Sequence, residues 1–339
     1  MSQPMNSPTV KLFARAFLLS EVCLDDSCLG HSYDVRLGDY HGKLLMPRLV
    51  WGPADVRVEG WPTPHPLNGL ATSPHEPPIE PGTWGDVFAY DPAARTCAAR
   101  ISSAQLEIEI PRHLISITEN SSRKCVAGAR VADFQQQSHA WLGRVRDWVG
   151  VVADQHTGHP KLRQSIDLQN RIWVWPADGG AEWRSNAPNA VTVNQQKTEV
   201  MNRTEWQYVL ERASNKDVAP LERTMLAHAR NALREGQCRE AVLAAATAVE
   251  VTLTNKLGDE LANVEAGLRE RMLKQQMMMG KLIGLLHHLG LPPGLNAGLV
   301  EARNRAIHRG APVPLNAAQE AVRLAATVVQ QFSVLPHPL

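Results

Sequence analysis

The sequence has almost no net charge. Its 35 lysines and arginines stand against 34 aspartates and glutamates, a balance of +1 over 339 residues. A broad cationic coat for nucleic acid is thereby excluded, and only a local basic patch remains open. There is no apolar run of the roughly 18 residues that a membrane helix needs. The richest, Ala241 to Val249, ends at Glu250, so no membrane partner is expected. No secretory leader is expected either, because Arg15 interrupts the N-terminal apolar segment and no A-x-A pattern follows. The cysteines (Cys23, Cys28, Cys97, Cys125 and Cys238) are odd in number and form no C-x-x-C. They read as reduced thiols of a cytoplasmic protein, not as a disulfide framework. No G-x-G-x-x-G follows a strand, and Gly280-Lys281 lacks the rest of a phosphate loop.

Aromatic residues are missing from the C-terminal part. All nine tryptophans lie between Trp51 and Trp206, and after Tyr208 the only aromatic residue is Phe332. The length suggests two domains at roughly 150 residues each. The change in composition places their boundary near residue 200, giving a β-rich domain over 1–200 and a helical one over 201–339. Charge divides mildly: from Asn215 onward there are 14 lysines and arginines and 11 acids.

Strict alternation in Leu106-Glu107-Ile108-Glu109-Ile110 predicts a half-buried strand. Arg171 to Trp175 and Ala190 to Val193 are also strand-like, and Val10–Val22 and Lys43–Val50 are weaker candidates. Seven prolines between Trp61 and Gly82 predict a long loop. One helix is expected over 131–152, with Phe134, Trp141, Leu142, Val145, Trp148 and Val149 mostly at three- and four-residue steps. The tryptophans either fill the core or line a groove in which bases stack.

Five helices are expected after residue 218. Pro220 opens the first and Gly236 stops it. The second, about 239–261, carries Ala241, Ala244, Ala245 and Ala248 on a face suited to close helix approach. The third runs over 264–289 with Val264, Leu268, Met272, Leu282, Leu285 and Leu289 in register. The fourth carries Leu299 to His308. The fifth starts after Pro314 with Asn316 as N-cap. Short loops between such helices make a compact bundle, and the fold class expected overall is α+β with two domains.

The fourth helix contains Arg303-Asn304-Arg305-Ala306-Ile307-His308. Asn304 and His308 share a face, whereas Arg303 lies about 140° from His308 on an ideal helix. A kink or a second chain is needed to aim both at one point. Glu250 interrupts the apolar face of the second helix, and a buried carboxylate there calls for a cation such as Arg303.

Arg-Asn-x-x-x-His near the end of a five-helix bundle resembles the HEPN superfamily of RNases. The flanks from Leu299 to Gly310 are similar to that family's, as are Arg230 to Gly236 and the Ala-Val-Glu at Ala248-Val249-Glu250. The resemblance covers roughly residues 218–333. It implies a homodimer whose two motif helices form one cleft, and cleavage of an RNA substrate without metal or other cofactor. Arg303, Asn304 and His308 would be catalytic, Glu250 supporting, and Arg305 and Arg309 would contact RNA. Gly310 stands where some toxin members carry a tyrosine, so control by modifying that tyrosine is not expected. A β-rich domain before a terminal HEPN bundle looks like single-chain phage-defence RNases of the ApeA type. That architecture implies a phage-derived or small-molecule trigger at the N-terminal domain.

The chemistry suits these residue types. Histidine titrates near neutral pH and serves as general acid or base. Arginine grips phosphate with two N–H groups and stabilises growing negative charge. Plainer roles exist for the same residues. His308 suits the end of a helix, and Arg303 suits a solvated pair with Glu301. Two functions therefore stay open: a HEPN-type endoribonuclease acting in defence or as a toxin, and a catalytically inactive bundle that dimerises and binds a partner or nucleotide. His156-x-x-His159 and Cys23-x4-Cys28 lack a third ligand at metal spacing. His287-His288 is expected to face solvent, and Met277-Met278-Met279 to be core or contact surface.

Overall fold

The computed structural model describes residues 9–52, 56–60, 84–91, 94–111, 116–120, 123–127, 129–153, 155, 173–176, 200–275, 279–308, 312–333 and 335. The chain divides into two compact units, Met1–Val218 and Ala219–Leu339.

The first unit contains β1 (Thr9–Asp25), β2 (Ser32–Leu37), β3 (Tyr40–Leu45), β4 (Arg48–Trp51), β5 (Val56–Glu59), β6 (Gly85–Asp91), β7 (Thr96–Pro111), β8 (Ser116–Asn120), β9 (Arg123–Ala127), α1 (Ala129–Val152), β10 (Trp173–Pro176) and α2 (Arg203–Ser214). The main sheet is antiparallel in the order β10-β1-β7-β3-β2. The long strand β7 serves two neighbours on one side: its start pairs with β6 and its end with β3. β1 pairs with β7 up to Phe17↔Ser103 and resumes at Val22↔Ile101, so an irregular stretch of β1 bulges there and curls the sheet. The β2–β3 hairpin closes in two residues, with Gly38 at φ +63, a backbone that a tight hairpin turn favours.

The Leu106–Ile110 segment is part of β7, with Leu106, Ile108 and Ile110 buried and Glu109 exposed. Val10–Val22 lies within β1. Lys43–Val50 is split between β3 and β4 by Met46 and Pro47, whose backbone bonds to His31 and Gly30. Residues 171–172, the strand expected over 190–193 and the proline-rich stretch from 61 to 83 lie outside the described residues.

The helix expected over 131–152 is α1. It buries Phe134, Trp141, Leu142, Val145, Trp148 and Val149. Side chains spaced along α1 reach the end of α2: Trp141 Nε1 donates to Ser214 Oγ (3.4 Å), Arg144 Nε to the Ala213 carbonyl (2.8 Å) and Trp148 Nε1 to the Asp217 carbonyl (3.0 Å). The Ala213 carbonyl lies in the last turn of α2, Ser214 Oγ is a side-chain oxygen of its final residue, and the Asp217 carbonyl belongs to the segment just after it, so α1 ties down both the helix end and its exit. α2 buries Trp206, Tyr208, Val209 and Leu210 and starts with a capping box between Asn202 and Glu205. α2 thereby belongs to the aromatic core of the first unit, which extends to Val218.

The second unit is helical: α3 (Leu221–Arg234), α4 (Cys238–Glu260), α5 (Ala266–Gln275), α6 (Met279–Leu285), α7 (Glu301–His308) and α8 (Leu315–Phe332). Pro220 is the N-cap of α3. Gly236 ends it at φ +72, with Gly236 N–H bonded to the Leu233 carbonyl and Gln237 N–H to that of Ala232. α4 is central and touches α3, α5, α6, α7 and α8. Ala241, Ala245 and Ala248 are fully buried, which permits close approach, and Val249, Leu253 and Leu257 complete the core. Truncating a core leucine such as Leu253 costs about 2–5 kcal/mol.

Three boundaries differ from expectation. The span 264–289 contains α5, α6 and a tight 3-10 turn at His287–Leu289, with residues 276–278 outside the described set. Met279, Leu282, Ile283 and Leu286 recur at three- and four-residue steps and are buried, whereas Leu285 lies off that face and is exposed. The fourth helix is regular only from Glu301, after a wide π turn at Asn296–Val300. Finally, Pro314 and not Asn316 caps α8: its carbonyl accepts from Ala317 and Ala318 N–H, while Asn316 Oδ1 accepts only from Ala317 N–H. Among the described residues no helix is long and apolar enough to cross a membrane.

Candidate functional site

α7 places the motif by a simple division of faces. Ala302 and Ala306, four residues apart, are buried in the helical core. Glu301, Asn304, Arg305 and Ile307 are exposed, and Arg303 is half-buried on the flank between them. Small inner residues bring α7 close to α4, which leaves the long Arg303 side chain within reach of the neighbouring helix.

There it meets Glu250. Arg303 Nη2 lies 4.0 Å from Glu250 Oε2, and the two side chains are 34% and 32% exposed. The distance is the outer limit of an ion pair and too long for a hydrogen bond. Glu250 is therefore not the buried carboxylate expected from the sequence. It sits at the edge of α4 beside buried Val249, where water still reaches it, so little desolvation cost arises. Threonines near it donate to carbonyls one turn back, Thr252 to Ala248 (2.8 Å) and Thr254 to Glu250 (2.7 Å). These bonds fix the threonine side chains along the helix.

The structure thus brings together Arg303 and Glu250 among the described side chains. Asn304 and Arg305 occupy the exposed side of α7. His308 is the last residue of α7; its side chain, and all of Arg309, lie outside the described residues. Arg303 and His308 are both within regular α-helix, so their backbone positions keep the separation of about 140° that a regular helix imposes. The wide turn precedes both and does not reduce it. A guanidinium with five N–H donors and one loose carboxylate contact has donors left for a phosphate.

The other candidates resolve differently. Cys23, Cys28 and Cys97 are buried cysteines outside any disulfide. Burial and the neighbouring Asp25 carboxylate push the Cys28 thiol well above its usual range, and burial lifts Cys97 to about 11. Neither is a reactive thiolate near neutral pH. Cys28 Sγ contacts Asp25 Oδ1 and the Met201 carbonyl, both at 3.6 Å. Among the described residues no three His, Cys, Asp or Glu side chains could hold a metal. His156 and His159 lie outside them. His287 and His288 are exposed, and their Nδ1 atoms lie 2.9 Å and 3.1 Å from the carbonyls of Gly284 and Leu285. Met279 is core, and Met277 and Met278 lie outside the described residues.

Three tryptophans, Trp141, Trp148 and Trp206, are core and not groove. Trp51 is half-buried with the Arg95 guanidinium 5.7 Å over its ring. An open groove of about 600 Å³ crosses the first unit between Asp34, Asp39, His41, Lys43, Glu107 and Glu109. It contains no motif residue. Two features had no signal in side-chain pattern: the α1 donors to the end of α2, and the π turn that leads into α7. No family model matches the chain, and neither a curated protein nor a solved structure does.

Proposed function

We propose that this chain is a metal-independent endoribonuclease of the HEPN type, a cytoplasmic protein acting in phage defence or as a toxin. The carrying observation is that Arg303, about one-third exposed at the edge of the helical unit, lies 4.0 Å from Glu250 on a helix whose outward positions are Asn304, Arg305 and Ile307. Ile307 is 42% exposed, an apolar side chain amid polar motif residues. That composition suits a helix that meets a second copy of itself, and pairing would bring two motifs to one cleft.

In this reading the 2′-oxygen of RNA attacks the adjacent phosphorus as the bond to the 5′-oxygen breaks. The products are a 2′,3′-cyclic phosphate and a free 5′-hydroxyl. His308 exchanges a proton with the 2′-OH or the leaving 5′-oxygen. Arg303 stabilises the charge gathering on the phosphate oxygens. Asn304 orients the phosphate or His308, Glu250 holds Arg303, and Arg305 and Arg309 contact flanking RNA. The first unit senses a phage-derived or small-molecule trigger or positions the RNA.

The second reading, an inactive dimerising bundle that binds a partner or nucleotide, draws on the same pair: a loose interhelical ion pair accounts for Arg303 without chemistry. Overexpression of wild type beside His308→Ala, with total RNA analysed for new ends, separates them. New ends with wild type alone support the nuclease. No new ends with either protein, under trigger, support the binding module.

A further inference from the structure

The helix that carries the motif does not start as an α-helix. Glu301 N–H donates to the Asn296 carbonyl, five residues back, and Asn296–Val300 forms a π turn that runs directly into α7. A π turn takes about one residue more than an α turn, and one residue is about 100° of helical phase. The position of this turn therefore fixes the rotation at which α7 leaves it.

Gly298 stands in the middle of the turn, and it faces α8. A Cβ there would lie 2.6 Å from Leu324 Cδ1 and 3.4 Å from Glu320 Cγ. Leu324 is fully buried, so its methyl fills the space a side chain at 298 would need. The neighbouring Asn296 and Ala297 are exposed, so the close approach is confined to the glycine and its own side of the turn. Leu299 within the turn and Ala302 and Ala306 beyond it are buried, and Arg303 on the flank lies 4.0 Å from Glu250. Moving Gly298 off Leu324 would rotate or lift α7, and Arg303 would lose that contact first, because it is already at the limit of an ion pair.

We infer that Gly298 is a positioning residue: by seating the π turn on Leu324 it sets the rotation of α7 that presents Arg303 beside Glu250. For activity this rests on the nuclease reading, but the geometric half does not. The test uses the full-length chain as wild type, Gly298→Ala, Leu324→Ala and the double variant. Each is assayed for RNA cleavage and thermal unfolding. Each is also made in a Glu250→Cys, Arg303→Cys background, where a short bismaleimide cross-link between 250 and 303 is quantified by peptide mapping. Gly298→Ala is expected to lower kcat by about 10²-fold, the scale of a misplacement of about 1 Å. It should also cut the cross-link yield severalfold, with unfolding temperature nearly unchanged. Adding Leu324→Ala is expected to raise both kcat and cross-link yield while lowering the unfolding temperature. Activity that recovers as stability falls is not what a purely structural glycine would give. If Gly298→Ala does not fold, the double variant against Leu324→Ala alone decides, and the two should then agree in cross-link yield. Unchanged cross-linking and kcat in Gly298→Ala, or a double variant whose cross-link stays low beside Leu324→Ala, overturn the inference. A wild type that never cleaves RNA defeats the nuclease reading alone, and the cross-link still decides the role of Gly298.

Discussion

Arg303 on α7 and Glu250 on α4 stand 4.0 Å apart, each about one-third exposed. At that distance and exposure the pair has modest Coulomb energy and is screened by salt. Glu250→Gln should therefore change global stability by less than about 1 kcal/mol, the usual ceiling for solvent-exposed pairs. Its effect should fall on function: RNA cleavage should decline, though less than in Arg303→Ala. Thermal unfolding beside a cleavage assay checks this. A large loss of stability with full activity would show that the pair is structural.

The link between α1 and α2 is expected to be worth far more. Trp148 is buried, donates to the Asp217 carbonyl at 3.0 Å and meets the Tyr208 ring edge-on at 5.8 Å. Trp148→Ala should cost about 3–5 kcal/mol, the range for truncating a buried aromatic residue. Trp148→Phe keeps most of the packing and loses the hydrogen bond, so about 1–2 kcal/mol is expected. Denaturant titration of the full chain measures both, and equal losses would mean that packing is not what Trp148 supplies.

The division after Val218 has a consequence for fragments. Residues 219–339 expressed alone should be soluble and helical by circular dichroism. Starting the fragment at 201 adds α2 without its partners and exposes Trp206, Tyr208, Val209 and Leu210, which are buried in the full chain. That fragment should self-associate, because contiguous apolar patches drive aggregation. Size-exclusion chromatography of the two fragments distinguishes the boundaries, and a well-behaved monomer from 201 alone would favour the earlier one.

Burial of the Cys97 and Cys28 thiols gives a pH dependence of definite sign. The folded Cys97 thiol titrates at about 11 against an ordinary value of 9.0, and Cys28 is shifted the same way. The unfolded chain therefore gives up these protons first. For Cys97 this contribution is present in full below about pH 9 and is lost as pH rises through about 11, and that of Cys28 is lost at higher pH still. Stability should fall over that range, less steeply in Cys97→Ala. At pH 8 a thiol reagent should leave Cys28 and Cys97 unmodified in native protein, and rapid labelling of either would contradict the burial.

Much of this architecture was legible because it rests on local rules. Alternation gave the strand at Leu106–Ile110, the three- and four-residue apolar steps gave α1, and Gly236 marked the end of α3. That α2 packs with α1 was not legible: Trp141 and Trp148 stand 73 and 69 residues before their acceptors Ser214 and Asp217, and no local pattern reports such a contact. The pairing of Glu250 with Arg303 could be anticipated from one charge on an apolar helix. Its exposure could not, since that depends on how closely Ala302 and Ala306 let α7 approach α4. The π turn before α7 was hidden as well, because a one-residue register change leaves the spacing of Leu295, Leu299, Ala302 and Ala306 looking like ordinary helix.

The proposed reading is that Arg303 and His308 cleave RNA without metal. It is tested most directly by incubating purified, triggered wild type, Arg303→Ala, Asn304→Ala and His308→Ala with a defined RNA in EDTA, and mapping the ends. Wild type should cut and leave 2′,3′-cyclic phosphate or 3′-phosphate ends, and a 2′-deoxy substitution at the cut site should block it. Arg303→Ala and His308→Ala should remove detectable activity while the fold and the proposed dimer persist, since acid–base catalysis alone is worth about 10²–10⁴-fold. Asn304→Ala should lose less. Cleavage that requires added divalent metal, or that proceeds equally well in His308→Ala, would contradict the mechanism.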